Sequence, residues 1–170
     1  MRTVEYSAQL ILDRSTQLFD EGGLINLKVR AVAKACDCSV IPIYSNYASQ
    51  KELSKKVLRN AYSIFEKSLV DSLKSHKNAS LNDPYLLLYS ALTCSKGLIK
   101  EVISNNKDVI DKLVRITYKY FPNITILQLR EYIFLICLTI NIKSTKVFDG
   151  FNLSDLAISK INKGFLKKLK

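Results

Sequence analysis

The chain has 170 residues, 48% of them hydrophobic, which is enough for one compact body or for a small module fused to a medium one. With 5 Gly and 3 Pro, and apolar residues recurring at three- and four-residue spacings, the pattern points to an all-α protein. A net charge of +11 suits a polyanionic partner, whether nucleic acid, an anionic membrane surface or an acidic protein. The excess is spread along the chain, with 12 Lys/Arg against 8 Asp/Glu over residues 1–78 and 14 against 7 over residues 79–170.

The first predicted element, "VEYSAQLILDRSTQLFDEGG", is an amphipathic helix with Ala8, Ile11, Leu12, Ser15, Leu18 and Phe19 on one stripe and Gly22 and Gly23 as its stop. "LKVRAVAKAC" follows as a short helix with Val29, Val32, Ala33 and Cys36 inward. "DCS" is then a tight turn, because Asp accepts positive φ better than most residues and Ser39 is an N-cap. Pro42 falls in the first turn of a third helix, where no backbone donor is needed. Ser49 to Glu52, "SQKE", is a capping box that launches a long helix through Leu53, Val57, Leu58, Ala61, Ile64, Phe65 and Leu69.

The polar stretch 75–83 reads as a domain boundary. Beyond it the pattern predicts helices over 84–96, 97–104, 107–121 and 125–147, with Asn106 as a cap and Pro122 after the third, and a last helix over 153–169. The longest apolar run, "YIFLICLTINI" (132–142), falls short of the roughly 20 residues that span a bilayer. Arg2, Glu5 and Asp13 interrupt any secretory signal, so the expected compartment is cytoplasmic and no membrane is expected as a partner. The four cysteines form no CxxC pair, and His76 is the one histidine, so there is no tetrahedral metal set. No Ser/His/Asp set, carboxylate pair or glycine phosphate loop stands in a context that supports catalysis. Neither an enzyme nor a cofactor is expected.

Three short helices with a tight turn between the second and third make a helix-turn-helix. The segment "ILDRSTQLFDEGG…VRAVAKACDCSVIPIYSNYASQKEL" closely resembles the N-terminal domain of the TetR family of bacterial transcriptional regulators. The anchors are Ile11-Leu12, Leu18-Phe19, Gly23, Val29-Arg30, Val32-Ala33, Ser39, Ile43-Tyr44, Tyr47, Ser49 and Leu53, over about residues 6–58. The resemblance implies a DNA-binding domain (1–50), a long connecting helix (51–75) and a C-terminal helical ligand-binding and dimerisation domain (76–170). Its third helix would meet the major groove of double-stranded DNA, with hydroxyls and helix N-termini on phosphates.

Tyr44 matches a tyrosine that in the family commonly hydrogen-bonds the DNA backbone; the alternative is packing on the domain core. Ser39 either meets phosphate or only caps its helix. Lys28, where the family commonly has Thr, and Arg30 and Lys34 are either phosphate cations or solvated charges. Arg2 lies on an arm that can reach a groove. Ser45 and Asn46 complete the candidate set on the third helix. The departures are Gln50 where a Lys is usual, with Lys51 one place later, Asp37 for the usual Gly, and Val40, Ile41 and Pro42 where small or polar residues are common. Aliphatic side chains cannot hydrogen-bond a base edge, but they can touch thymine methyls or sense local shape. Cys36 and Cys38 read as core filler, with thiol sensing as the alternative.

For the second half, the resemblance implies a ligand pocket and a homodimer. The pocket candidates are Tyr85, Tyr89, Cys94, Tyr118, Phe121 and Tyr132, with plain core as the competing reading. The dimer candidates are Leu129, Ile133, Ile136 and Ile140 on a helix apolar on more than one face, with Leu156, Ile161 and Phe165 on the last helix. The expectation is a homodimeric repressor on a palindromic operator, released or modulated by a small ligand or another signal. The alternatives are an interaction protein using Val40, Ile41 and Ile43 on a protein partner, and a membrane-surface protein using the basic tail.

Overall fold

The computed structural model describes residues 6–75 and 84–144. The expected helix over 153–169, with Leu156, Ile161 and Phe165, lies outside the described residues, as do Arg2 and His76. Among the described residues the chain is all-helical. Eight α-helices run in the order α1 (Ala8–Gly22), α2 (Val29–Ala35), α3 (Val40–Asn46), α4 (Gln50–Ser75), α5 (Pro84–Leu92), α6 (Lys96–Ile103), α7 (Lys107–Tyr118) and α8 (Ile126–Ser144), with one 3-10 turn at Leu24–Asn26. None of the described helices is long and apolar enough to cross a membrane.

The chain divides into two compact units. One holds the residues up to Ile64 together with Ser95–Leu98; the other holds Phe65–Cys94 and the residues from Ile99 onward. The division therefore falls inside α4 rather than in the polar stretch 75–83. A continuous amphipathic helix gives no compositional sign that its buried residues change allegiance midway.

In the first unit, Ser7 starts α1 by accepting the Leu10 N–H at 3.2 Å. Gly23 ends it at φ 77°, with its N–H on the Phe19 carbonyl at 2.7 Å. Ile11, Ser15 and Phe19 are buried along one row. The Ser15 hydroxyl is satisfied there by donating to the Ile11 carbonyl at 2.7 Å. Val29, Val32 and Ala33 face inward from α2 as the period predicts, and α1 packs against both α2 and α3. At the start of α4, Ser49 Oγ accepts the Glu52 N–H at 3.1 Å. Glu52 Oε2 reaches back to the Ala48 N–H at 2.9 Å, one residue earlier than the reciprocal partner of a capping box.

Asp20, at the end of α1, accepts both the Gly97 N–H at 2.9 Å and the Ser95 hydroxyl at 3.3 Å, and so fixes the start of α6 in the same unit. Gly97 lies so close to the fully buried Phe19 ring that a Cβ on it would overlap the ring.

In the second unit α8 packs against α5 and α7. α5 buries Tyr85, Leu87, Leu88, Ala91 and Leu92, which share one side of the helix at about 100° per residue. The α6–α7 corner is a tight stop with Asn105 at φ 59°. There the Asn105 N–H bonds to the Val102 carbonyl at 3.0 Å and the Asn106 N–H to the Glu101 carbonyl at 2.9 Å, the paired pattern of a Schellman motif. Asn106 also caps α7 as expected, accepting the Val109 N–H at 3.4 Å, while its amide donates to Glu101 Oε2 at 2.6 Å. α8 opens with a reciprocal box in which Thr125 Oγ1 accepts the Gln128 N–H at 3.2 Å and Gln128 Oε1 accepts the Thr125 N–H at 3.1 Å. Glu66 accepts from Lys119 Nζ at 3.2 Å and from the Tyr120 hydroxyl at 3.0 Å, and Arg130 pairs with Asp111.

Gly97→Ala should lower the stability of the protein by about 1–3 kcal/mol, because the Phe19 ring must give way. The loss is read as a shift in denaturant midpoint. Gly22→Ala is the control: its methyl meets only the flexible end of Asn26, so it should move the midpoint much less.

Candidate nucleic-acid interface

The site is built on the corner between α2 and α3. Cys36 closes α2, and Asp37 then takes φ 53°. The Asp37 N–H bonds to the Lys34 carbonyl at 3.1 Å and the Cys38 N–H to the Ala33 carbonyl at 3.0 Å, the same paired stop that ends α6. The left-handed residue is an aspartate, which tolerates that region less well than glycine. The Tyr6 hydroxyl donates to the Asp37 carbonyl at 3.0 Å and ties the chain before α1 to the apex of the turn.

Ser39 caps α3 with a long bond, its Oγ accepting the Ile41 N–H at 3.4 Å. Pro42 stands at the third helical position, where its missing N–H leaves no acceptor unpaired. The positions of α3 and its C-cap divide by exposure. Ile43 and Tyr47 point in and are buried, whereas Val40, Ile41, Tyr44 and Ser45 share the outer arc. Exposure is 36% for Val40, 71% for Ile41 and 53% for Tyr44. Pro42 is half-buried.

The inner side is fixed by polar ties as well as by burial. The Tyr47 hydroxyl donates to the Ala8 carbonyl at 2.7 Å. Burial, followed by the Glu52 and Asp13 carboxylates, raises the Tyr47 pKa, so the phenol keeps the proton it donates. Asn46 Nδ2 donates to the Tyr6 carbonyl at 3.0 Å and to the Pro42 carbonyl at 2.9 Å. That amide ties α3 to the start of α1, and the residue itself is exposed. Ser45 is exposed, with its hydroxyl donating to the Ile41 carbonyl at 3.1 Å.

Ile43, expected on a partner surface, is 1% exposed and belongs to the core. The opposite reading for Tyr44, an aromatic packed on the domain core, does not fit its exposure. Lys28, Arg30 and Lys34 are all exposed, the last two four residues apart on α2. Lys51 is exposed on α4 and begins a row, Lys51, Lys55 and Arg59, of which only the first was singled out from the sequence. Their four-residue spacing was the available signal.

The second unit distributes its candidates differently. Tyr85 and Tyr132 meet edge to face, with ring centroids 6.3 Å apart at 90°. Tyr85 is buried, while Tyr89, Phe121 and Tyr132 are half-buried. Tyr118 and Cys94 are exposed and do not line the interior; the Cys94 thiol donates to the Ser68 hydroxyl at 3.2 Å. Leu129, Ile133 and Ile136 are fully buried within the chain's own helices, and Ile140 is half-buried. The face of α8 that remains exposed carries Leu127, Phe134 and Leu138 instead. A helix apolar on several sides does not reveal from its sequence which side its own chain covers.

Comparison of the chain with protein-family models, with curated proteins and with solved structures returned no match.

The corner predicts its own stabilising substitution. Asp37→Gly relieves the left-handed backbone without touching the carbonyl that Tyr6 binds, and should raise stability by up to about 1 kcal/mol. Asp37→Val should lower it, since a β-branched residue is an outlier at positive φ. Paired denaturant melts measure both, and a lower midpoint for the glycine variant would contradict the assignment of this turn.

Proposed function

We propose that this protein is a helix-turn-helix, TetR-like transcriptional regulator that binds a palindromic operator in double-stranded DNA as a homodimer and represses the adjacent gene. The observation that carries the reading is the outer arc of α3, where Ile41 and Tyr44 stand open to solvent on a short helix whose other side is locked by Ile43 and Tyr47. Exposed apolar and aromatic side chains on a rigid element call for a partner. The cations of α2 and of the Lys51 row supply charge suited to phosphate.

Each side chain has a role that its chemistry permits. The Tyr44 hydroxyl donates to a phosphate oxygen and fixes register. Ile41 and Val40 touch thymine methyls in the major groove, a modest preference compared with a bidentate Arg–guanine contact. Lys28, Arg30, Lys34 and Lys51 neutralise phosphates and release counterions. Leu127, Phe134 and Leu138, seven and four residues apart on α8, form the stripe that a second copy would cover. Release by a small effector through the second unit belongs to the same reading and rests on the family resemblance alone.

One feature favours a second reading. The outer arc of α3 is apolar enough to dock a protein, through Val40, Ile41 and Tyr44 rather than through Ile43. Binding to DNA from around its own gene and to random duplex, measured over a range of salt, separates the two. The regulatory reading requires at least about a 10³-fold preference for the former. It also requires a steep salt dependence, which Lys51→Ala should make shallower by about 2 in log–log slope, one cation per subunit. Tyr44→Phe should weaken specific binding roughly 10- to 30-fold in a dimer and leave thermal melting unchanged. Equal, weak binding to every duplex would overturn the regulatory reading and leave the protein-docking one.

A further inference from the structure

Three hydrogen bonds tie the two ends of α3 to one short stretch of chain, residues 6–8. The Tyr6 hydroxyl donates to the Asp37 carbonyl at 3.0 Å, just before Ser39, the cap of α3. At the last position of the helix, Asn46 Nδ2 donates to the Tyr6 carbonyl at 3.0 Å. The Tyr47 hydroxyl, one residue on, donates to the Ala8 carbonyl at 2.7 Å. Ser7 lies between these anchors and caps α1, its Oγ accepting the Leu10 N–H at 3.2 Å. Tyr6 is thus the residue that holds a bond to each end of α3.

We propose that Tyr6 is a positioning residue for sequence discrimination: it touches no base, and it fixes the placement at which the outer arc of α3 meets the groove. The proposal rests on the regulatory reading and names how that site achieves its specificity. The reason lies in what the arc carries. Val40 and Ile41 discriminate only by touching thymine methyls, and dispersion is short-ranged. A gap of about 0.5–1 Å forfeits roughly a quarter to a half of each contact. No directional bond re-forms to recover it. The cations behave in the opposite way. Lys28, Arg30, Lys34 and Lys51 are exposed, and their long side chains follow a phosphate through a shift of that size while carrying no sequence information. A loosened α3 therefore loses discrimination and keeps its general affinity for duplex.

Tyr6 acts through two different groups. Its hydroxyl holds the corner and its backbone carbonyl holds the last turn of α3, so Tyr6→Phe removes only the first tie and Asn46→Ala only the second. With residue 6 joining the two ends, either change releases the helix, and the double variant is little worse than the single ones. A direct contact of Asn46 with a base would instead add its full loss.

The test measures binding of the full chain to DNA from around its own gene and to random duplex. Tyr6→Phe should lower the ratio of the two affinities roughly 3- to 10-fold in a dimer, with random-duplex binding and its salt slope unchanged. Adding Asn46→Ala should lower the ratio by less than about a further 2-fold. Gly97→Ala, whose methyl meets the Phe19 ring toward the other end of α1, is the control for lost stability: it should lower the melting temperature and leave the ratio as it is. A ratio unchanged by Tyr6→Phe, reduced as much by Gly97→Ala, or falling in the double variant by the full product of the single losses would overturn the proposal and leave the regulatory reading standing. A wild-type chain with no preference for its own DNA would overturn both.

Discussion

The bond from the Cys38 N–H to the Ala33 carbonyl, made with Asp37 held at φ 53°, determines where α2 stops and where α3 begins. With the corner closed, Ser39 is the first residue that can cap, and Pro42 falls where its missing N–H does no harm. Ile43 and Tyr47 then face α1, and the phenol of Tyr47 reaches the Ala8 carbonyl. The outer arc follows from that choice of inner residues. A shift of one residue in the corner would turn α3 by about 100° and bury a different set. Tyr6, binding the Asp37 carbonyl, and Asn46, binding the Tyr6 carbonyl, close the arrangement from the other end of the chain. Energetically the corner rests on backbone hydrogen bonds that offset the cost of a non-glycine residue in the left-handed region.

The all-helical character and the starts of α3, α4 and α7 were legible because each has a local cause: Ser39 before Pro42, the Ser49–Glu52 box, and Asn106. The Thr125–Gln128 box has an equally local cause in the string "TILQ". What could not be read was the covering of apolar faces. Ile41 and Ile43 are the same residue type two positions apart, and only the angle of α3 against α1 makes one 71% exposed and the other core. Leu129 and Leu127 differ in the same way on α8, one fully buried and one largely open. Periodicity identifies a stripe, whereas tertiary packing decides which neighbour it meets. Asn46 shows the same limit for polar groups: its side-chain type gives no sign that the carbonyls of Tyr6 and Pro42 accept from its amide.

Cys36 and Cys38 flank the turn that starts α3, one buried and one half-exposed, with no disulfide to either. In the second unit the contrast between Cys94, open to solvent, and Cys137, sealed in the core, shows that the four cysteines do not share one role.

The central claim is that the outer arc of α3 faces DNA, and a photo-crosslinking side chain introduced at position 41 tests it directly. Irradiated with the DNA flanking its own gene, the protein should crosslink to bases within one short sequence repeated about a twofold axis, and the yield should fall as salt rises. Crosslinks made only to protein, or spread evenly along any duplex, would contradict the account.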